Sequence, residues 1–172
     1  MQPNPPDAER RLQKYAGTRR LPMRYQETED DMTREFEVLV AAASPENRSA
    51  LTKVLLGMGV QTAISSSVRE AQAILSARPV SLVFCEEKFA DGNYQDVLRA
   101  VKRTAGQAPV VVSSPSHDWN EYLEALRLGA FEFIDGPVRA MDVEMIVRYA
   151  RRLADATERN GRTRSQLAAR VA

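Results

Sequence analysis

The chain has 172 residues, one cysteine and a formal net charge of +1. This length fits one domain with extra segments at its ends. The near-neutral charge gives no global argument for a nucleic-acid or membrane partner, and no apolar run approaches the ~20 residues that cross a bilayer. A single cysteine excludes an intrachain disulfide and fits a reducing compartment. Because the N-terminus also lacks a secretory signal, we expect a cytoplasmic protein.

Residues 1–35 differ in composition from the rest of the chain. They begin with three prolines, continue with a basic patch and end with an acidic one. The segment has too few apolar residues to build a core, so we predict a flexible N-terminal extension. The basic side chains are Arg10, Arg11, Lys14, Arg19, Arg20 and Arg24.

From residue 36 onward, short apolar runs alternate with segments of helical periodicity. The first run, 36–43, is followed by Ser44 and Pro45, which suit the cap and the first position of a helix. The pattern predicts further strands at 60–64, 80–85, 109–114 and 131–134. Helices are predicted after each strand, at about 45–58, 68–75, 94–101, 118–128 and from about 141 to 160.

Five buried strands alternating with five helices predict an α/β fold with a doubly wound parallel sheet. The carboxyl ends of the first, third, fourth and fifth strands then converge near a switch point, where such sheets place their sites. The third strand, 80–85, ends in two carboxylates, Glu86 and Glu87. The residues predicted to meet at this edge are Ala42, Ala43, Glu86, Ser114 and Gly136.

Three stretches carry a resemblance to a known family. They are Val38-Leu39-Val40 with Pro45 and Arg48, then 81–84 with Asp91-Gly92, and above all 109–114 with 125–134. Over about residues 36–154 the chain resembles the receiver domain of bacterial two-component response regulators. The resemblance implies a flavodoxin-like (βα)5 fold with strand order 2-1-3-4-5.

In that family, an aspartate at the end of the third strand accepts a phosphoryl group from a histidine kinase. An acidic pair binds Mg²⁺, and a Ser or Thr and a Lys bind the phosphoryl oxygens. This sequence has Ala42 and Ala43 at the acidic pair, Glu86 at the acceptor and Gly136 at the lysine, so only Ser114 matches. We therefore expect a degenerate pseudo-receiver that needs no metal or other cofactor, is not phosphorylated and is not an enzyme.

Ser114 and Phe133 occupy the positions that usually sense the switch in this family. Two interpretations of Glu86 remain open: a phosphoaspartate mimic that hydrogen-bonds towards Ser114, or a solvated carboxylate at a strand end. Cys85 is expected to be a small apolar strand residue, and His117 to be a loop or capping residue.

Trp119 and Tyr122 begin the predicted fourth helix, on the surface that receivers use for partners. The expected partner is a protein: a histidine kinase, another regulator, or a second copy that pairs through the fourth helix, fifth strand and last helix. Nucleic acid and membrane are not expected partners.

The predicted organisation is an N-terminal extension at 1–35, a receiver-like domain at 36–158 and a flexible C-terminal tail at 159–172. The expected function is a signalling module in a two-component or phosphorelay system that acts by protein–protein interaction. Two alternatives remain: an atypical receiver that is phosphorylated on Glu86 or a nearby carboxylate such as Asp91, and a nucleic-acid-binding regulator that uses its basic tails.

Overall fold

A computed structural model of the chain describes residues 36–115 and 118–171, with only the backbone described from residue 158 onward. The predictions for the N-terminal extension and for His117 lie outside these residues. Within the described part, no helix has the length and apolar content that a bilayer crossing requires.

The described domain has seven strands and five helices. Five strands form one parallel sheet in the order β2-β1-β3-β6-β7. Counting only the strands of this sheet, the order is 2-1-3-4-5, so the predicted flavodoxin-like fold is confirmed. The strands are β1 (Glu37–Ala41), β2 (Gln61–Ser65), β3 (Leu82–Glu86), β4 (Lys88–Phe89), β5 (Gly92–Asn93), β6 (Val110–Ser114) and β7 (Glu132–Asp135). The helices are α1 (Pro45–Gly57), α2 (Val68–Ala77), α3 (Tyr94–Lys102), α4 (Trp119–Arg127) and α5 (Ala140–Val171).

Between the predicted third strand and the predicted third helix, the short strands β4 and β5 form an antiparallel hairpin that the pattern did not predict. Each contributes two residues, which is below the length at which alternation of apolar and polar residues can be recognised. The hairpin turns the chain from the end of β3 into α3, and Asn93 and Asp96 form a capping box at the start of that helix.

Helices cover both faces of the sheet. One apolar cluster joins the sheet to α2, α3 and α4, and the other joins it to α1 and α5. Successive strand residues alternate between the clusters: Leu39 and Val83 face the first, and Val40 and Phe84 face the second. The central strands β3 and β6 are buried along their whole length, as their continuous apolar runs predict.

The last helix is longer than the sequence pattern predicted. Its backbone continues from Ala140 to Val171, so the predicted end near Asn160 and Gly161 is wrong. Gly161 suggested a helix terminus, but a glycine inside a helix costs only about 1 kcal/mol and does not by itself end one. The domain boundary at residue 158 stays a prediction, and it lies inside this helix.

Candidate functional site

The carboxyl ends of β1, β3, β6 and β7 meet at one edge of the sheet, as predicted. Backbone pairing brings Glu86 opposite Ser113, and Ser114 opposite Asp135. Ala42 extends β1 by one further hydrogen bond, from its backbone N–H to the carbonyl of Ser65. The residues proposed from topology therefore lie around one end of the sheet, and their side-chain contacts decide what the site can do.

Glu86 is turned towards the loop between β1 and α1. Its Oε2 accepts a hydrogen bond of 2.9 Å from the backbone N–H of Ser44, and its Oε1 accepts one of 2.7 Å from Nδ2 of Asn47. Only 9% of the residue surface is exposed. Neither interpretation drawn from the sequence is correct: Glu86 is not a solvated carboxylate, and it is not bonded to Ser114.

The acidic-pair positions hold small side chains beside a guanidinium group. Ala42 is buried against the α1 and α5 face, whereas Ala43 is exposed. Nη1 of Arg48 donates to the carbonyl oxygen of Ala42 at 2.6 Å and to that of Ala43 at 3.2 Å. A positive charge thus lies against the loop that would carry two carboxylates in a working receiver.

These donors do not fit the Mg²⁺ ion that the fold family implies. Mg²⁺ requires an octahedral set of hard oxygen ligands, usually with one or two carboxylates. The alanines supply none, and both oxygens of the Glu86 carboxylate are bonded to Ser44 and Asn47. Among the described residues, no group of three or more His, Cys, Asp and Glu could hold a metal ion.

Glu87 is the carboxylate that contacts Ser114. The hydroxyl of Ser114 donates a hydrogen bond to Oε2 of Glu87, and Nζ of Lys88 lies 2.9 Å from Oε1. Glu87 is 5% exposed and Ser114 is 1% exposed. Burial raises the pKa of Glu87, but the hydrogen bonds from Ser114 and Lys88 and the charge of Lys88 outweigh burial and hold that pKa below its usual range.

Gly136 stands at the position of the family's lysine and makes its contacts through the backbone. The N–H of Gly136 donates a hydrogen bond of 2.7 Å to the carbonyl of Ser114, and a cis peptide bond links Gly136 to Pro137. Phe133, at the second switch position, is 1% exposed in the core. Its ring meets that of Tyr122 edge-on, with the ring centroids 5.9 Å apart.

Asp91, the second candidate acceptor, caps a helix. Its Oδ1 accepts from the N–H of Val68 and its Oδ2 from the N–H of Arg69, both at 3.0 Å, at the start of α2. These backbone hydrogen bonds hold the pKa of Asp91 below its usual range. Both carboxylate oxygens are engaged away from Ser114, so this arrangement fits a structural role.

Cys85 packs inside β3 and is 1% exposed. Burial, followed by the charge of Glu86, raises the pKa of its thiol far above the usual range. A thiol in this environment has little thiolate character, which agrees with the structural role expected from the sequence.

The first turns of α4 present an exposed apolar surface. The ring of Trp119 stacks on that of Tyr122 at 4.9 Å, with 62% of Trp119 exposed. Leu123, one turn after Trp119, is 48% exposed. We call Trp119, Tyr122 and Leu123 the α4 surface.

Comparison with known proteins supports the fold and one family of relatives. No protein-family model matches the chain. The chain is similar to the response regulator protein PilR of Pseudomonas aeruginosa, with 27% identity over 117 residues. That match covers 68% of this chain and 26% of PilR, so it spans about a quarter of that relative's length.

Solved receiver domains superpose on the chain. One is a CheY-like response regulator receiver domain protein from Methanospirillum hungatei, with a TM-score of 0.66 and 16% sequence identity. The match covers 72% of this chain and 99% of that protein's chain. The described domain has the receiver fold. A receiver domain protein from Clostridium thermocellum gives a TM-score of 0.65 at 21% identity and covers 71% of this chain and 98% of its own.

This receiver-like domain uses three residues whose roles the sequence analysis did not assign. The carboxylate of Glu87 accepts from Ser114, and the amide of Asn47 donates to Glu86. The guanidinium of Arg48 donates to the carbonyl of Ala42 in the β1–α1 loop. For Glu87 a signal was available, because consecutive strand residues point to opposite faces and only one of two adjacent carboxylates can face Ser114. The roles of Asn47 and Arg48 depend on the path of the loop, which no spacing rule specifies.

Proposed function

We propose that this receiver-like domain acts in two-component or phosphorelay signalling by protein–protein interaction, without being phosphorylated. It is then a degenerate receiver and not an enzyme. PilR is a response regulator, and the likeness to it supports the signalling context. The proposal places the protein in the cytoplasm, where the partners of such domains work.

One arrangement carries this proposal. The carboxylate at the acceptor position is held by Ser44 and Asn47 in the β1–α1 loop, and the guanidinium of Arg48 lies on the carbonyls of Ala42 and Ala43. Phosphoryl transfer to a carboxylate requires the incoming negative charge to be neutralised near the acceptor. Here the acceptor oxygens are already hydrogen-bonded, and the metal ligands are replaced by methyl groups.

The α4 surface is the contact region in this proposal. Exposed tryptophan is unusual away from interfaces, and aromatic side chains are common anchors in protein complexes. The partner is a histidine kinase, another regulator, or a second copy that pairs through α4, β7 and α5.

The fluorescence of Trp119, the single tryptophan of the chain, provides the test. The purified protein is titrated with Mg²⁺ and then with beryllofluoride, which imitates a phosphoryl group on a carboxylate. We expect no saturable change in emission, in a protein whose circular dichroism confirms that it is folded. A working receiver domain measured in parallel controls for the reagent.

A saturable change that Glu86→Ala removes would contradict the proposal and favour phosphorylation at Glu86. A change that persists in Glu86→Ala but disappears in Asp91→Asn would assign it to Asp91. The nucleic-acid alternative is tested separately with labelled DNA and RNA at low salt. Binding that weakens steeply with added salt would favour that alternative.

A further inference from the structure

Glu87 joins three parts of the domain. Its backbone N–H donates to the carbonyl of Ser113 at 2.9 Å, and its carbonyl accepts from the N–H of Tyr94 at 3.0 Å. Its position is therefore fixed by β6 on one side and by the start of α3 on the other. The side chain reaches Ser114 with one oxygen and Lys88 with the other.

The same carboxylate faces the first turns of α4. A cleft of about 370 Å³ is lined by Glu87, Lys88 and Tyr94 on one side and by Asn120, Glu121 and Glu124 of α4 on the other. The side chain of Glu121 lines this cleft opposite Glu87. Nζ of Lys88 lies 2.9 Å from Oε1 of Glu87, and the hydrogen bond and charge of Glu87, followed by the charge of Glu121, raise the pKa of Lys88.

Ser114 lies where the chain leaves the sheet and leads into α4. It is the last residue of β6, and α4 begins at Trp119, five positions later. Its carbonyl accepts from Gly136, so the sheet fixes its backbone while Glu87 fixes its hydroxyl. Tyr122 of α4 packs edge-on against Phe133 and carries the stacked ring of Trp119.

We propose that Glu87 is a positioning residue, whose carboxylate holds the hydroxyl of Ser114 beside the first turns of α4 and thereby fixes the α4 surface without a phosphoryl group. The inference rests on the proposed function for its biological meaning. The Glu87 carboxylate places a negative charge beside the hydroxyl of Ser114. Lys88 places a positive charge on the other oxygen of that carboxylate.

Hydrogen exchange measured by mass spectrometry tests the inference without a partner or a phosphodonor. The readout is the exchange rate of first-turn amides of α4, which include the Tyr122 N–H bonded to Asp118. In Glu87→Leu, which removes the acceptor of the Ser114 hydroxyl, we expect these amides to exchange about tenfold to a hundredfold faster, the effect of losing one hydrogen bond to a charged group. Amides of α2, such as that of Ala71, serve as the internal control and should keep their rates.

A matched pair at Ser114 separates the hydroxyl from side-chain volume. Ser114→Thr keeps the donor and should exchange like the native chain. Ser114→Val has nearly the same shape as the threonine variant but lacks the donor, so it should exchange like Glu87→Leu. Glu86→Gln, which changes the neighbouring carboxylate, should leave the α4 rates unchanged. If Glu87→Leu does not fold, the Thr and Val pair carries the test alone.

Equal rates in the Thr and Val variants would overturn the inference. Equal acceleration of α2 and α4 would overturn it too, because Glu87 would then contribute only to overall stability. Neither result changes the outcome expected from the beryllofluoride titration. The proposed function can therefore fail while this inference holds, and this inference can fail while the proposed function holds.

Discussion

Ser114 donates its hydroxyl hydrogen to Glu87, whereas the adjacent carboxylate of Glu86 is bonded to Ser44 on the other side of the sheet end. The divergence follows from strand geometry, since successive side chains at the end of β3 point in opposite directions. Two carboxylates that are neighbours in sequence thus point apart, and each accepts hydrogen bonds from its own donors. Both carboxylates at this end of the sheet are therefore held by contacts within the chain.

Removal of the Glu86 carboxylate should destabilise the β1–α1 loop. In Glu86→Ala, the N–H of Ser44 and the amide of Asn47 lose their acceptor, and we expect the free energy of unfolding to fall by about 1–3 kcal/mol. Urea denaturation followed by circular dichroism measures the change. Glu86→Gln, which retains one acceptor oxygen, should lose less.

A double-mutant cycle with Asn47→Ala separates the two contacts of Glu86. The cost of Asn47→Ala should shrink in the Glu86→Ala background, because the same hydrogen bond is already absent. Fully additive costs would show that the two side chains do not interact in solution.

The fold could be predicted from sequence because its signals are local and repeated. Ser44 and Pro45 were predicted to begin a helix, and in the structure Ser44 Oγ caps α1 by accepting from the N–H of Asn47 at 3.2 Å. The apolar runs of β3 and β6 predicted strands buried on both faces, and both are buried throughout. Each signal depends on residues within a few positions, so tertiary contacts did not have to be known.

The site was only half predictable, for the opposite reason. The converging strand ends identified Glu86 and Ser114 as neighbours, but contacts between side chains depend on which face each points to and on loop paths. The interaction of Asn47 with Glu86 spans 39 positions and depends on the path of the β1–α1 loop. The family pattern assigns a role to the acceptor position, Glu86, and none to the position of Glu87.

Asp91 should act in stability and not in phosphorylation. Its carboxylate accepts from the N–H groups of Val68 and Arg69, so Asp91→Ala removes the acceptor for two amides at the start of α2. We expect a lower midpoint of urea unfolding with an unchanged slope, and no effect on the response to Mg²⁺ or beryllofluoride. Asp91→Asn, which retains one acceptor oxygen, should lie between the alanine variant and the native chain.

The pKa of Glu87 predicts a specific acid sensitivity. Since this pKa is lower in the folded state, the folded chain binds fewer protons than the unfolded chain near pH 4, and stability rises with pH there. The contribution is complete above the usual glutamate pKa of about 4.3 and is lost as pH falls through the lower folded value. The groups that face Glu87 are Lys88, Tyr94, Glu121 and Glu124.

Comparison with Glu87→Gln isolates this contribution. Other carboxyl groups with lowered pKa values are present in both proteins and cancel in the difference; they are Glu46, Glu70, Asp91 and Asp96. Chemical denaturation from pH 7 to pH 3 should show a steeper loss of stability in the native chain than in the variant. Parallel curves would mean that Glu87 has the same pKa folded and unfolded.

The α4 surface should contribute to binding and not to folding. Trp119 and Leu123 are 62% and 48% exposed, so Trp119→Ala and Leu123→Ala should change unfolding little. If this surface holds a partner or a second copy, truncation of an anchor weakens the complex by at least about 2 kcal/mol, roughly thirtyfold in Kd. Sedimentation of the native chain over a concentration series tests self-association first.

A leucine elsewhere supplies the matched control for this prediction. Leu56, on α1, is 63% exposed and lies outside the α4 surface. Leu56→Ala should leave association unchanged while Leu123→Ala weakens it. Equal effects of the two substitutions would contradict a specific contact region on α4.

If the proposed function is correct, phosphoryl binding should appear when three family residues are introduced together. The variant combines Ala43→Asp, Glu86→Asp and Gly136→Lys. Ala43 is exposed, so an aspartate there remains solvated. A Cβ atom at Gly136 would lie 3.4 Å from the Ser114 carbonyl oxygen, an ordinary van der Waals distance, so a lysine fits the backbone. Ala42 stays unchanged because it is 1% exposed in the core, where a carboxylate would be costly.

Each substitution restores one requirement of phosphoryl binding. Glu86→Asp shortens the side chain and frees it from Asn47, Ala43→Asp supplies a carboxylate for Mg²⁺, and Gly136→Lys supplies the fixed cation. We expect a saturable Mg²⁺-dependent change in Trp119 fluorescence with beryllofluoride in the triple variant, and none in the native chain or in Gly136→Lys alone. A folded triple variant without a response would mean that a contact outside these positions closes the pocket. The first such contact to remove is the Glu87 bond to Ser114, because it occupies the one family residue that this chain retains.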